Sequence, residues 1–259
     1  MKAKKQLGQH FLIDQEAINR ITETIISEAS EINNVLEIGP GQGVLTEHLL
    51  DQKFKLKLVE KDRDMIDILK RNYKISDDLI LHDDILKINP FEIFDNEPFV
   101  LAGNYPYNIS SQIIFWMLSA KKIIPVMVGM FQREVANRLL SSHGRKSYGV
   151  TSVLTQAFYS GEKVFDLPPE SFDPAPKVHS SVIIFRRKEI DELPCSEKNF
   201  RRVVKLCFNQ RRKMLSNSLR SLDLDRTILQ KDVFSKRPEQ LSVDDFIELT
   251  VFLEKYIDT

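Results

Sequence analysis

Two short stretches of this 259-residue chain carry residue types that could do chemistry. Glu37-Ile-Gly-Pro-Gly-Gln-Gly43 places three of the chain's nine glycines within five residues. Such a backbone lets a ligand approach the main chain closely, and unpaired amides there favour an anion. Glu60 follows 21 residues after Gly39, a spacing at which a carboxylate can accept from both hydroxyls of a ribose. Asp83-Asp84 adds a third acidic position, where Asp84 could accept from an amino group on a base and Asp83 reads as a solvated turn residue. The second stretch is Asn104-Tyr105-Pro106-Tyr107. There an amide oxygen and the main-chain carbonyl of Tyr105 could accept the two hydrogens of one amino group. Pro106 pushes Tyr105 into an extended conformation, and Tyr107 offers a flat ring for stacking. Taken singly, each stretch has a plainer reading: a tight glycine turn, or a strand-end turn with a buried tyrosine.

These groups need elements to position them. Val35–Ile38 is an apolar run before the glycines, and Val44, Leu45, His48 and Leu49 have helical spacing after them. Lys55–Val59 reads as a second strand, ending at Glu60, and Arg63–Tyr73 as a helix with Ile66, Leu69 and Tyr73 on one face. Leu79–His82 and Phe99–Ala102 are the third and fourth strands, and Ser110 is expected to cap a helix running to about Ala120. Val126–Phe131 is a fifth, with a helix over Arg133–Ser142. Val164–Leu167 and Ser180–Phe185 are joined by a proline-bearing loop too short for a crossover helix, so they should pair antiparallel. The alternation predicts a doubly wound, mainly parallel α/β sheet with the reactive stretches along its carboxyl edge. Beyond Arg187 the pattern changes. Phe200, Val203, Val204, Cys207 and Phe208 form a helical stripe, and Ser242-x-x-Asp opens another helix lined by Phe246, Leu249, Leu253 and Tyr256. The expected division is an α/β domain over 1–188 and a small all-helical domain over 189–259.

Composition excludes several classes. Apolar residues are 42% and charged residues 29%, ordinary for a soluble globular protein. Cys195 and Cys207 are too few for a disulfide framework, and no Cys/His spacing suggests a metal. Met1–Gly8 is basic but no apolar stretch follows, and no window approaches 18 apolar residues, so the cytoplasm is the expected compartment and no membrane partner is expected. Thirty-seven Lys and Arg balance 37 Asp and Glu. That neutrality hides a local excess: eight basic residues and no acid lie between Lys198 and Arg220. Such a run is either a solvated face or one that contacts the phosphates of a nucleic acid.

The Gly-x-Gly-x-Gly pattern led by Glu37, with Glu60 and Asp84, resembles class I S-adenosylmethionine methyltransferases more than dehydrogenases. Asn104–Tyr107 resembles the (Asn/Asp/Ser)-x-Pro-(Tyr/Phe) signature of methyltransferases acting on exocyclic amino groups of bases. The lone pair of adenine N6 is delocalised into the ring, so acceptors that favour a more tetrahedral nitrogen would help it attack a sulfonium methyl. Together with Gln9-His10-Phe11-Leu12, Gly103–Ser110, Phe172-Asp-Pro-Ala-Pro-Lys-Val178 and Arg237-Pro-Glu-Gln-Leu-Ser242, the chain resembles the KsgA (RsmA) family of small-subunit rRNA adenine dimethyltransferases nearly end to end.

The resemblance implies a Rossmann-like class I methyltransferase domain with a helical, RNA-contacting C-terminal domain. It implies transfer of four methyls from S-adenosylmethionine to N6 of two adjacent adenosines in the 3′-terminal hairpin of 16S rRNA, within the immature 30S subunit. His10 and Leu12 would close over the cofactor, with Gly39 and Gly41 against it. Glu60 would hold its ribose, Asp84 its adenine, and Asn104 would bridge cofactor and target nitrogen. Tyr107 and Phe172 would sandwich the target adenine, and Lys177 would face RNA; within the basic run, Arg211 and Arg212 are the residues expected to contact RNA phosphates. A monomer without metal is expected. One departure stands out: the family commonly has leucine where this chain has Tyr105, a change expected to alter packing around the target base. The competing readings are a large-subunit (23S) adenine methyltransferase of the erythromycin-resistance type, a non-catalytic RNA-binding assembly factor on the same scaffold, and a nicotinamide oxidoreductase.

Overall fold

The computed structural model describes residues 9–190, 192–222, 224–225 and 227–257. The chain forms two compact units, one from residues up to Ala136 with Ser160–Arg187, the other from Asn137–Tyr159 with Lys188 onward.

The first unit is built on a seven-stranded sheet. Its strands are β2 (Asn34–Ile38), β3 (Lys55–Glu60), β4 (Ile80–His82), β5 (Val100–Asn104), β6 (Val126–Gln132), β7 (Tyr159–Leu167) and β9 (Ser180–Arg187), in the order β4-β3-β2-β5-β6-β9-β7. β4 through β6 run parallel, and β9 is antiparallel to β6. Ser160 bonds Arg186 while Ser181 bonds Asp166, so β7 and β9 also run in opposite directions, as expected. All seven expected strands are present. β2 is buried along its whole length, which is why it reads as a continuous apolar run rather than an alternating one. β7 starts at Tyr159, earlier than its apolar end suggested, because most of its first half is exposed and polar.

β2 has β3 on one side and β5 on the other. The chain winds outward from β2 to β4 and returns to β5, so a crevice opens between the carboxyl ends of β2 and β5, where open α/β sheets bind ligands. Helices α2 (Thr46–Leu50), α3 (Arg63–Tyr73) and α5 (Ser110–Ser119) follow β2, β3 and β5. Ser110 does not cap α5. It is the first helical residue, Ile109 takes the cap position, and the Ser110 hydroxyl donates backwards to the Tyr107 carbonyl at 3.0 Å.

Two features were not foreseen. Helix α1 (Gln15–Ala29) buries Ile18, Ile21 and Ile25 along one face and is capped by Asp14, which accepts from Ala17 N and the Ser171 hydroxyl. A two-stranded sheet pairs β1 (Phe11–Leu12) with β8 (Phe172–Asp173), opposing Leu12 to Phe172. It ties the N-terminal segment to the proline loop some 160 residues away.

The second unit is helical: α7 (Val150–Gln156), α8 (Glu197–Asn209), α9 (Leu215–Ser218) and α10 (Val243–Ile257), with short 3₁₀ turns between α9 and α10. Phe200, Val203, Val204 and Cys207 are buried on α8, and Ser242 and Asp245 exchange side-chain and backbone bonds at the start of α10. The division is not the single cut at 188 read from the sequence. Residues 137–159 join the helical unit because Tyr148 is buried against Phe208, which in turn stacks on Phe246. Gly144 N also donates to Glu239 O, and the Lys188 ammonium to Gln156 O. Among the described residues no helix is long and apolar enough to cross a membrane.

Candidate active site

One cleft in the first unit is lined by the N-terminal segment, the glycine loop and the ends of β3, β4 and β5. Its cavity of about 170 Å³ is more than ten times the space one water needs, so it admits an organic ligand rather than a lone ion. Gly39, Gly41 and Gly43 have φ of 65°, 56° and 88°, a left-handed course that side chains resist. A Cβ on Gly41 would come within 3.3 Å of the Phe11 ring, so β1 packs directly on the loop. At the end of β3, Glu60 is 7% exposed and accepts from Gly41 N (3.2 Å) and Asp62 N (2.7 Å). Burial raises its pKa, and those amides oppose the rise. Glu37 is more deeply set. It accepts from the Thr46 hydroxyl at 2.7 Å, and burial pushes its carboxyl up to about 7. Asp84, at the end of β4, bonds Lys61 at 2.9 Å, which lowers its pKa.

On the other wall stands Asn104. Its Nδ2 donates to the His10 carbonyl at 3.0 Å. That carbonyl can only accept, so the amide nitrogen must face it and Oδ1 is left to receive a hydrogen. The His10 ring stacks on Tyr107 with centroids 5.4 Å apart, and its Nδ1 meets the Pro174 carbonyl at 2.7 Å. The Tyr107 hydroxyl is fixed by Ser180 at 2.5 Å.

A cleft with a buried carboxylate at one end and an oriented amide at the other sits at the carboxyl edge of the sheet. Comparison with known proteins decides the family. The family model described as "Ribosomal RNA adenine dimethylase" matches residues 1–258. The chain belongs to the ribosomal RNA adenine dimethylase family. It is 47% identical over 251 residues to a protein of Phocaeicola vulgatus named ribosomal RNA small subunit methyltransferase A, covering 96% of this chain and 89% of that one. A protein of the same name from Bacteroides thetaiotaomicron is 47% identical over 260 residues, covering 100% and 97%. Among solved structures, a dimethyladenosine transferase from Plasmodium falciparum superposes with a TM-score of 0.79 at 26% identity, covering 95% of this chain and 98% of that one. The 23S rRNA methyltransferase ErmE gives 0.62 at 26% identity, covering 96% and 100%.

Within this rRNA adenine dimethylase, most of the residues singled out in the sequence meet in one place. His10, Leu12, Gly39, Gly41, Glu60, Asp84 and Asn104–Tyr107 all line the cleft. Phe172 does not. It is 3% exposed and packed into the core with Leu12, opposite which the β1–β8 pairing sets it. Tyr105 is likewise buried, its ring packed against Phe131. Lys177 is exposed on its loop. Arg212 is exposed, whereas Arg211 is partly held by Glu239 (3.9 Å) and the Arg145 carbonyl (3.3 Å). Sequence reasoning passed over Lys61 and gave no role to Gln9, whose amide donates to Asp62 at 2.9 Å. The only signal for Lys61 was its position directly after Glu60.

Proposed function

We propose that the protein transfers methyl groups from S-adenosyl-L-methionine to N6 of two adjacent adenosines in the 3′-terminal hairpin of 16S rRNA, working as a cytoplasmic monomer on the immature 30S subunit. The observation that carries this reading is the hydrogen bond of Asn104: its amide nitrogen is committed to the His10 carbonyl, which leaves its oxygen to accept from a reacting amino group. The residues fit the cofactor. Each Glu60 oxygen accepts one backbone amide and keeps a lone pair for a ribose hydroxyl. Asp84 then receives the adenine amino group, Gly39 and Gly41 let the main chain come close to the amino-acid end, and His10 and Leu12 lie over it. When bound, S-adenosylmethionine supplies a methyl on a positively charged sulfur.

The protein's own contribution is placement. The Asn104 oxygen and the Tyr105 carbonyl hold the two amino hydrogens, drawing the N6 lone pair out of the ring, and this alignment is made before reaction. Tyr107 presents the ring face not covered by His10 to the flipped base. Lys177, Arg211 and Arg212 contact RNA phosphates. The test is primer extension on 30S and 50S RNA after incubation of unmethylated subunits with protein and S-adenosylmethionine. Stops at two adjacent adenosines near the 16S 3′ end are expected. Stops confined to 23S RNA would make it a large-subunit enzyme, and no stops at all would make it a non-catalytic factor.

A further inference from the structure

Gly129 lies in the middle of β6, opposite Gly103 of β5. Its φ is not in the left-handed region, so the backbone does not require glycine there. Space does. A Cβ on Gly129 would stand inside the van der Waals envelope of Tyr105 Cε2, and within 2.8 Å of Cδ2 and 2.9 Å of Cζ. On the opposite strand a Cβ at Gly103 would lie 3.3 Å from Tyr105 Cε1. The two facing glycines therefore leave a slot one aromatic ring wide. Tyr105 fills it completely, with 0% exposure, the Phe131 ring 5.1 Å away, and its hydroxyl aimed at the Leu101 and Val128 carbonyls at 3.3 and 3.4 Å.

Tyr105 follows Asn104 directly, and Pro106 follows it, so the backbone here has little freedom other than what the ring allows. We infer that the Tyr105 ring seated over Gly129 is a positioning device for the reaction, holding the Tyr105 carbonyl at the height where it accepts a hydrogen of the target amino group. Neither Gly129 nor the ring touches substrate. They act through the carbonyl, and the inference rests on the methyl-transfer reading above. A displacement of about 1 Å at a reacting group can cost about 100-fold in rate.

The test is a double-mutant cycle in which kcat for 30S methylation, KM for S-adenosylmethionine and thermal melting are measured together. Gly129→Ala should lower kcat about 100-fold, since its methyl group and the ring cannot share the slot. Tyr105→Leu should lower kcat about tenfold, the ring's space being left loose. Combined, the two should recover kcat to about the Tyr105→Leu level, because leucine yields room for the methyl group, with KM for the cofactor unchanged throughout. A double variant no more active than Gly129→Ala, in a protein that still melts cooperatively and binds cofactor, would overturn the interlock. So would a Gly129→Ala variant with full kcat. A wild-type protein that methylates neither subunit would instead overturn the methyl-transfer reading, and with it the interlock.

Discussion

The carboxyl edge of the sheet and the basic face of α8 hold their functional groups in opposite ways. At the edge nearly every polar atom has a fixed partner: Glu60 takes two backbone amides, Glu37 a buried hydroxyl, Asn104 a backbone carbonyl and Tyr107 a serine. Along α8, Lys198, Arg201, Arg202 and Lys205 are exposed, as are Arg212, Lys213 and Arg220 after it. On the proposed reading, the difference follows from the tasks. Directing a lone pair needs atoms placed to within fractions of an ångström, whereas attracting a polyanion needs only charge within a Debye length, about 10 Å. Single substitutions should therefore be drastic at the edge and mild, salt-dependent and cumulative on the face.

The largest expected effect is Asn104→Ala. Removing one oriented acceptor should lower kcat by about 100–1,000-fold, with 30S binding in a filter assay unchanged. A variant that methylates normally would remove Asn104 from the chemistry and break the contrast at its strongest point.

Next comes pH. With its pKa pushed up to about 7 by burial, Glu37 favours its protonated form in the folded protein. Its contribution to stability is full below the unfolded value of about 4.5 and is lost as pH rises through 7. At 1.36 kcal/mol per unit, the loss approaches about 3 kcal/mol by pH 8. Glu37→Gln keeps an acceptor for Thr46 and cannot ionise. Urea unfolding of this variant should show a flatter pH dependence between 5 and 8 and greater stability than the native chain at pH 8. Parallel pH profiles for the two proteins would show that Glu37 is not held neutral.

The smallest effect sharpens the other side. Arg212→Glu should reduce the slope of log Kd for 30S against log salt by about one unit or more, while Arg211→Glu, whose native side chain is already engaged by Glu239 and Arg145, should change it less. Equal slopes in both variants and the native protein would leave α8 and its flank a merely solvated surface.

How much of this was legible follows from the range of the interactions. The central strands β2, β5 and β6 announce themselves as apolar runs because both their faces are buried, and the glycine loop and Asn104–Tyr107 are contiguous motifs. β1 and β8 were invisible because strands of two residues have no period, yet their pairing sets Leu12 opposite Phe172 and leaves the Phe172 side chain buried in the core. Residues 137–159 carry no composition change to mark their allegiance; Tyr148 meets Phe208 only in three dimensions. Tyr105 was visible as a departure in type, but its partner, Gly129, was one more glycine in an apolar run until β5 and β6 were paired.

The most direct measurement of the central claim is mass spectrometry of 16S rRNA from cells lacking this protein. The account predicts loss of two adjacent N6,N6-dimethyladenosines from the 3′-terminal hairpin, restored by the native gene and not by Asn104→Ala. Intact dimethylation in the deleted strain would contradict it.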